Sequence, residues 1–140
     1  MTNFENLKYT LSINDEYNVL SLLIDDVVVG YIEFEYMDDN YDFFQNNYSE
    51  TEYKSLFPDN KLVYVENVYI EKEYRNYGFA TSMMKKLFEV NGYKHILLNA
   101  KSDKESDIAQ DKLVNWYNKL GFIVVKKSDR YTEMWKELTL

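Results

Sequence analysis

A predicted strand-to-helix junction carries the first residues whose types and spacing could do chemistry. In the stretch RNYGFA, Arg75 stands three residues before Gly78, and the small Ala80 follows at the start of an apolar helix. A helix N-terminus presents unpaired backbone N–H groups and a positive dipole end, and a glycine lets an anion approach the backbone closely. Arg75 adds a fork of donors suited to a diphosphate, and Lys85 or Lys86 could reach an outlying phosphate. The pattern indicates a phosphate-binding turn; the alternative is that Gly78 only makes a tight turn beside a solvated arginine.

The elements on either side of this junction must position it. The apolar run KLVYVENVYI at 61–70 is typical of a strand. After the junction, apolar side chains repeat at helical spacing, and Asn91 and Gly92 supply a C-terminal stop. The apolar helix face carries Phe79, Met83, Met84, Leu87 and Phe88. The sequence therefore predicts a strand, a glycine turn and an amphipathic helix in succession.

Apolar and alternating runs elsewhere predict six more strands and a second helix. The strands lie at 7–13, 18–24, 27–36, 95–100, 122–127 and 131–138, and the helix spans 109–120 before Gly121. In the third strand the stretch IEFEY places Glu33 and Glu35 on one half-acidic face. A central strand–helix–strand unit implies parallel pairing, whereas the opening meander and the final hairpin imply antiparallel pairing. The expected fold class is α/β (α+β), a mixed sheet of about seven strands with helices packed on it.

Composition limits the possible functions. With 140 residues and 46% hydrophobic content, the chain is expected to form one domain over 1–140. The net charge of −8 disfavours nucleic acid and anionic membranes as partners and favours cationic ones. There is no cysteine and only one histidine, His95, so we expect no disulfide, no thiolate nucleophile and no Cys- or His-based metal site. The N-terminus lacks a basic start and an apolar run, so a cytoplasmic location is expected.

Residues 37–60 form a polar, aromatic insert between the third and fourth strands, with one helical stretch expected before Pro58. Its carboxylates resemble those of a calcium loop, but Phe43 stands where glycine is needed and Ser49 where the bidentate glutamate is needed. We therefore reject a calcium site there. His95 opens an apolar strand and is interpreted as structural.

Two motifs at the expected separation resemble the GNAT superfamily of acyl-CoA N-acyltransferases. The first is VENVYIEKEYRNYGFA, which follows the family pattern of an apolar fourth strand and then R/Q-x-x-G-x-G/A opening a helix. The second is LVNWYNKLGF, a helix that ends in Y-x-x-x-G-F with Tyr117, Gly121 and Phe122. The resemblance covers about 62–135, and the three earlier strands are compatible with the same fold.

The resemblance implies acetyl-CoA as cosubstrate and no metal. In the family the fourth and fifth strands splay apart and leave a slot for the pantetheine arm. Backbone N–H groups at the junction would bind the diphosphate, and main-chain groups at the end of the fourth strand would hold the pantetheine amides and polarise the thioester. Gln110 stands where many members carry an asparagine that touches pantetheine. The implied cofactor-binding residues are Val68, Tyr69, Ile70, Arg75, Asn76, Tyr77, Gly78, Phe79, Ala80, Thr81 and Gln110.

The resemblance also implies two catalytic residues. Tyr117 matches the position whose hydroxyl faces the CoA sulfur, and a phenol can protonate the departing thiolate. The alternative is that Tyr117 fills the core beside Trp116. Glu66 is the candidate base, and its apolar neighbours could raise its pKa by burial. The alternative is a structural or substrate-binding Glu66, because positioning alone can lower much of the barrier.

The chain departs from the family where helices usually separate the first two strands, since only NDEY stands there. We infer that the insert replaces the missing wall of the acceptor site, with an irregular cap over the sheet as the alternative. Its aromatic and acidic residues suit a cationic amine; they are Tyr41, Phe43, Phe44, Tyr48, Tyr53, Phe57, Asp38, Asp39 and Asp42. The leading hypothesis is an N-acetyltransferase that acetylates a primary amine, on a cationic small molecule or on a protein lysine or N-terminus, by direct attack in a ternary complex. The rivals are an inactive CoA-binding module and an acidic protein-interaction module, and a homodimer is possible.

Overall fold

Seven strands form one mixed sheet in the spatial order β1-β2-β3-β4-β5-β7-β6. The computed structural model describes residues 6–13, 18–38, 49–56, 61–101, 109–128 and 131–138. The strands are β1 (Leu7–Ile13), β2 (Asn18–Ile24), β3 (Val27–Asp38), β4 (Lys61–Ile70), β5 (His95–Ala100), β6 (Ile123–Lys127) and β7 (Thr132–Glu137). The helices are α1 (Glu50–Leu56), α2 (Phe79–Val90) and α3 (Gln110–Lys119), with a short 3-10 helix at Lys72–Tyr74.

These elements confirm the predicted order and the mixed α/β fold. Four strands coincide with their predicted limits, and β3 continues two residues further than expected, to Asp38. The chain between the neighbouring strands β4 and β5 passes through α2, which is the helical connection that parallel neighbours require. The chain also divides into two compact units, Met1–Glu35 with Val65–Gly92 and Tyr36–Tyr64 with Tyr93–Leu140. A single domain over 1–140 stays a prediction.

In the first unit, β1, β2 and β3 form an antiparallel meander. Alternate residues of β2 are buried, which follows from the two-residue period of a strand with one face on a core. Leu20 pairs with Ile32 in register, and both are buried together with Met83 of α2. At Gly30 the packing leaves no room for a side chain, since a Cβ there would lie 2.9 Å from the Tyr69 carbonyl oxygen and 3.3 Å from the Met83 sulfur. The helix that follows the glycine turn is therefore packed closely onto β3 at Gly30.

In the second unit, β7 lies between β5 and β6 and is antiparallel to both. Its buried cluster contains Met37, Leu62 and Leu97, with Trp135 packed against it. His95 is buried at the start of β5, and its ring centroid lies 5.9 Å from that of Trp135. This position agrees with the structural interpretation of His95.

The insert contains the helical stretch expected before Pro58, namely α1. It begins with a capping box, in which the Glu52 N–H donates to Ser49 Oγ at 3.1 Å and the Ser49 N–H donates to the Glu52 carboxylate at 3.1 Å. These hydrogen bonds lower the pKa of Glu52. All nine side chains assigned to an acceptor wall lie outside the described residues, namely those of Asp38, Asp39, Tyr41, Asp42, Phe43, Phe44, Tyr48, Tyr53 and Phe57.

Candidate functional site

The glycine turn begins where β4 ends and leads directly into α2. Asn76 and Gly78 both adopt left-handed backbone conformations, with φ of 70° and 79°. A Cβ at Gly78 would meet no atom within 4 Å, so backbone conformation and not packing demands the glycine. The same open space permits close approach to the backbone, as the sequence pattern requires for a phosphate-binding turn.

Helix α2 starts at this turn without a side-chain cap and without an acidic residue in its first turn. Its first intrahelical bond is donated by the Ser82 N–H to the Gly78 carbonyl at 3.0 Å. No carboxylate in the first turn therefore offsets the positive end of the helix dipole. The electrostatics favour an anion at the predicted diphosphate position.

Arg75 is tied to the strand that precedes the turn. Its Nε–H donates to the Ile70 carbonyl at 2.9 Å, and its guanidinium carbon lies 5.8 Å from the centre of the Tyr69 ring. The Tyr69 ring in turn lies 5.3 Å from that of Tyr31 in β3. Arg75 is therefore half-buried against the end of β4, in contrast to the solvated alternative.

Three carboxylates meet on the neighbouring strands β3 and β4. Glu66 forms a side-chain hydrogen bond with Glu35. The Asn67 amide donates to Glu33 Oε1 at 3.2 Å, so consecutive β4 side chains both contact the acidic face of β3. The burial pattern of β4 shows why, since Glu66 and Asn67 are both exposed and the strict alternation of a strand is broken there. The acidic side chains predicted on one face of β3 thus lie beside Glu66 on the neighbouring strand.

The pKa of Glu66 is raised to about 7, chiefly by the hydrogen bond with Glu35 and further by burial and by the charges of Glu35 and Glu33. A hydrogen bond between two carboxyl groups requires one of them to hold a proton, and the ionised forms repel each other. The raised pKa agrees with the sequence-based expectation, but its main cause is a second carboxyl group rather than apolar burial. A carboxylate of this kind can accept a proton near neutral pH.

Tyr117 and the Y-x-x-x-G-F motif form the C-terminal cap of α3. The Phe122 N–H donates to the Tyr117 carbonyl at 3.1 Å, and the Gly121 N–H donates to the Asn118 carbonyl at 3.0 Å. Gly121 has a φ of 100°, and the Tyr117 and Phe122 rings meet edge to face at 5.6 Å. These contacts define a Schellman motif with its apolar contact, which explains the tyrosine-to-phenylalanine spacing without any catalysis.

The Tyr117 hydroxyl is the part of the motif that capping does not require. Only 7% of the surface of Tyr117 is exposed, and the centre of the Trp116 ring lies 4.7 Å from that of Tyr117. Burial raises the pKa of Tyr117 to about 12, so the phenol keeps its proton throughout the neutral range. Tyr117 is therefore both a packing residue and a protonated donor.

Gln110 opens α3, and its amide Nε2 donates to the Ala100 carbonyl at the end of β5 at 2.8 Å. This hydrogen bond ties the helix start to the strand. The predicted contact of Gln110 with pantetheine stays a prediction, and one amide donor already serves the protein's own backbone.

Most of the predicted site residues lie in the first unit. That unit contains Glu66, the end of β4 from Val68 to Ile70, and the turn from Arg75 to Thr81, whereas Tyr117 and Gln110 lie in the second unit. Sequence reasoning missed Glu35 as the partner of Glu66, although the IEFEY alternation placed it on an acidic face. Within the described ranges, no group of three or more acidic or histidine side chains is arranged to hold a metal ion. None of the described helices is long and apolar enough to cross a membrane.

Comparisons with known proteins match the chain to one protein family and to solved structures with a similar fold. A model of the Acetyltransferase (GNAT) family matches residues 2–122. No curated protein sequence matches significantly. Similar solved structures include the PaiA N-acetyltransferase of Thermoplasma acidophilum in complex with coenzyme A, with a TM-score of 0.56 and 15% identity over 85% of this chain and 59% of that one. The chain thus spans less than two thirds of that relative.

Two further solved structures share the fold. An acetyltransferase of Thermus thermophilus has a TM-score of 0.60 and 12% identity, with 90% of this chain and 67% of that chain covered. Arabidopsis thaliana NAA60 in complex with a bisubstrate analogue has a TM-score of 0.56 and 9% identity, with 85% and 72% covered. At these identities the similarity supports the fold alone.

Proposed function

The chain belongs to the GNAT family of acetyltransferases, and on that premise we propose that it transfers an acetyl group from acetyl-CoA to a primary amine in a ternary complex. The observation that carries the choice of an amine is the Glu66 carboxyl, whose pKa of about 7 is set by a second carboxyl beside it. Such a pair attracts a cation and accepts its proton near neutral pH, and both properties suit an ammonium group.

On the donor side, the diphosphate of acetyl-CoA binds at the glycine turn. Backbone N–H groups between Asn76 and Thr81 supply the donors, and the uncapped start of α2 supplies a positive potential. The main chain between Val68 and Ile70 holds the pantetheine arm and polarises the thioester carbonyl. The solved complex of the Thermoplasma acidophilum protein with coenzyme A supports this assignment by fold similarity.

On the acceptor side, the ammonium group gives one proton to the Glu66 carboxylate, and the neutral amine attacks the thioester carbonyl carbon. Backbone N–H groups stabilise the oxyanion that forms. The C–S bond then breaks as the tetrahedral intermediate collapses, and the thiolate takes a proton from the Tyr117 hydroxyl. As the amide forms, the nitrogen loses a second proton, which replaces the proton that Tyr117 donated, and it keeps the third as the amide N–H. The products are the N-acetylated amine, free CoA thiol and one proton released from Glu66 to solvent.

Negative charge near Glu66 suits a cationic acceptor. Glu33 and Glu35 lie on the same face of β3 and act on Glu66 electrostatically. An ammonium group that approaches this face gains attraction from more than one carboxylate. A polyamine, an amino sugar and a lysine or N-terminus of a basic peptide are the acceptor classes that this chemistry favours.

The first test is a calorimetric titration of acetyl-CoA into the protein and into two charge-reversal variants. Arg75→Glu places a negative charge at the diphosphate turn, whereas Lys94→Glu makes the same net charge change at an exposed residue of the other unit. Saturable one-site binding that is lost in Arg75→Glu and kept in Lys94→Glu supports the donor site. Equal loss in both variants would mean that net charge, and not the turn, governs binding.

The second test is release of free CoA thiol with spermidine, glucosamine, a lysine-containing peptide and a peptide with a free N-terminus. Thiol release that depends on one of these amines supports the proposed transfer. Saturable acetyl-CoA binding without release in any reaction would favour a CoA-binding module. Absence of both, together with salt-sensitive binding to a basic protein, would favour the acidic interaction module.

A further inference from the structure

The peptide unit that ends β4 joins the Ile70 C=O to the Glu71 N–H, and these two groups point in opposite directions. The Glu71 N–H donates to the Val29 carbonyl of β3 at 2.8 Å. In a trans peptide the C=O of one residue and the N–H of the next point in opposite directions, and the described chain contains no cis peptide. The Ile70 carbonyl therefore points away from β3, toward the edge of β4 on which the pantetheine arm is expected.

The turn after β4 brings a side-chain hydrogen-bond donor back to the Ile70 carbonyl. The 3-10 helix closes with the Tyr74 N–H on the Glu71 carbonyl at 2.9 Å and the Arg75 N–H on the Lys72 carbonyl at 3.3 Å. This reversal brings the Arg75 Nε–H to the Ile70 carbonyl at 2.9 Å. The donor is charged and half-buried, so this hydrogen bond is stronger than one between neutral groups.

Aromatic contacts hold the guanidinium group in place. The Arg75 guanidinium lies 5.8 Å from the Tyr69 ring centre, and the Tyr69 ring packs at 5.3 Å on Tyr31. The Tyr69 hydroxyl also donates to the Glu71 carboxylate at 3.4 Å. Arg75 is thus fixed by a strand carbonyl and by an aromatic pair, and both belong to β3 and β4 rather than to the glycine turn.

We propose that Arg75 is a positioning residue that fixes the last peptide of β4 through its Nε–H, and thereby orients the strand edge that receives the thioester arm of the acyl donor. The proposal rests on the proposed function, and it differs from a role as diphosphate ligand. A diphosphate ligand acts through positive charge, whereas this role acts through one N–H at a defined point along the side chain. Of the five N–H donors of the guanidinium group, one is on Nε and the other four are on the two Nη atoms.

Two substitutions separate these roles. The glutamine Nε2 stands the same number of bonds from Cα as the arginine Nε, so Arg75→Gln keeps a donor for Ile70 and removes the charge. Lysine has a methylene group at that point and its ammonium one bond further, so Arg75→Lys keeps the charge and removes the donor. Lys72→Gln, which removes a charge from the same turn at an exposed residue, is the matched control.

The decisive assay compares two acyl donors, acetyl-CoA and S-acetylpantetheine, with spermidine as acceptor. S-acetylpantetheine has the same thioester and amides but no diphosphate. With this donor we expect Arg75→Lys to lower kcat/KM about tenfold, as loss of a charge-assisted hydrogen bond predicts, whereas Arg75→Gln and Lys72→Gln stay within about twofold of wild type. With acetyl-CoA, Arg75→Gln raises KM more than it changes kcat. Equal S-acetylpantetheine turnover in all four proteins would overturn the proposal and leave Arg75 as a diphosphate ligand.

A second measurement does not depend on turnover. We expect hydrogen exchange of the Glu71 N–H to be about tenfold faster in Arg75→Lys and nearly unchanged in Arg75→Gln, because the peptide that carries this N–H is held by the Arg75 Nε–H. Identical exchange rates in the two variants would overturn the proposal. If wild type turns over neither donor, the proposed function fails, and the exchange rates still decide whether Arg75 fixes this peptide.

Discussion

Replacement of Glu35 by glutamine should move the pH dependence of catalysis to lower pH. In the wild-type protein the hydrogen bond with Glu35 is the largest cause of the raised pKa of Glu66, and the charge of Glu35 contributes further. A glutamine removes that charge, and its amide donates to the ionised form of Glu66 rather than to the protonated form. The pKa of Glu66 therefore falls toward its ordinary value of 4.5, although the charge of Glu33 still opposes this fall.

The size of the effect follows from the fraction of Glu66 that is ionised. With a pKa of about 7, roughly one wild-type molecule in ten carries an ionised Glu66 at pH 6, whereas nearly all do at pH 8.5. If the variant titrates near pH 5, about nine molecules in ten are ionised at pH 6. The ratio of kcat/KM in Glu35→Gln to that in wild type should therefore rise about tenfold as the pH falls from 8.5 to 6.

The assay measures thiol release with one amine at matched pH values. The protonation of the amine cancels in the ratio, because both enzymes see the same acceptor. Glu89→Gln is the control, since it removes an exposed carboxylate of α2 that pairs with Lys86 at 3.7 Å and takes no part in the acidic face of β3. A ratio that stays constant from pH 5.5 to 8.5 would refute control of the ionisation of Glu66 by Glu35. A similar rise in Glu89→Gln would point to a general effect of net charge.

Three further predictions concern catalysis and stability. Tyr117→Phe keeps the ring contacts of the Schellman motif, so the free energy of unfolding in denaturant should change by less than about 1 kcal/mol. Turnover should fall about 100-fold, because the phenol that protonates the thiolate is lost. Unchanged turnover would show that Tyr117 is not the acid. Gly30→Ala places a Cβ 2.9 Å from the Tyr69 carbonyl oxygen, so neighbouring atoms must move. The free energy of unfolding measured in urea should fall by about 1–3 kcal/mol, and an unchanged value would contradict the close packing at Gly30. The folded-state pKa of Glu66 is raised from 4.5 to about 7, so its protonated form stabilises the fold at low pH and that stability is lost as the pH rises through this window. Because Glu66 is exposed, the free energy of unfolding should fall by only about 1 kcal/mol between pH 5 and pH 8. The fall should be smaller in Glu66→Gln, which cannot ionise at this position. The same pH dependence of stability in both proteins would exclude a contribution from Glu66.

Much of the fold follows from local pattern in the sequence. The limits of β1, β2, β4 and β5 agree with the predicted ones, because apolar alternation and turn residues act over a few positions. The SETE stretch before α1 forms the capping box that its spacing encodes. The conformations of Gly78 and Gly121 are also local, since glycine adopts a positive φ without a steric penalty.

The sequence motifs also identified the glycine turn and Tyr117, but they left open what each residue does. The Schellman hydrogen bonds show that the spacing from Tyr117 to Phe122 has a structural cause, so the catalytic reading depends on the hydroxyl alone. For Gln110, the hydrogen bond to Ala100 shows a backbone partner that no local pattern indicates. Sequence patterns of this kind locate a residue on an element without defining its contacts.

The tertiary structure alone decided which distant side chains meet. Glu35 and Glu66 are 31 positions apart in the sequence, and their hydrogen bond exists because β3 and β4 are neighbours in the sheet and β4 breaks its alternation at Glu66 and Asn67. The pKa of Glu66 depends on that pairing, because a hydrogen bond needs its two groups within about 3.5 Å and charge repulsion weakens with distance. Residue type and period therefore determined the elements and the turn, whereas strand order and register determined the proton affinity of the base.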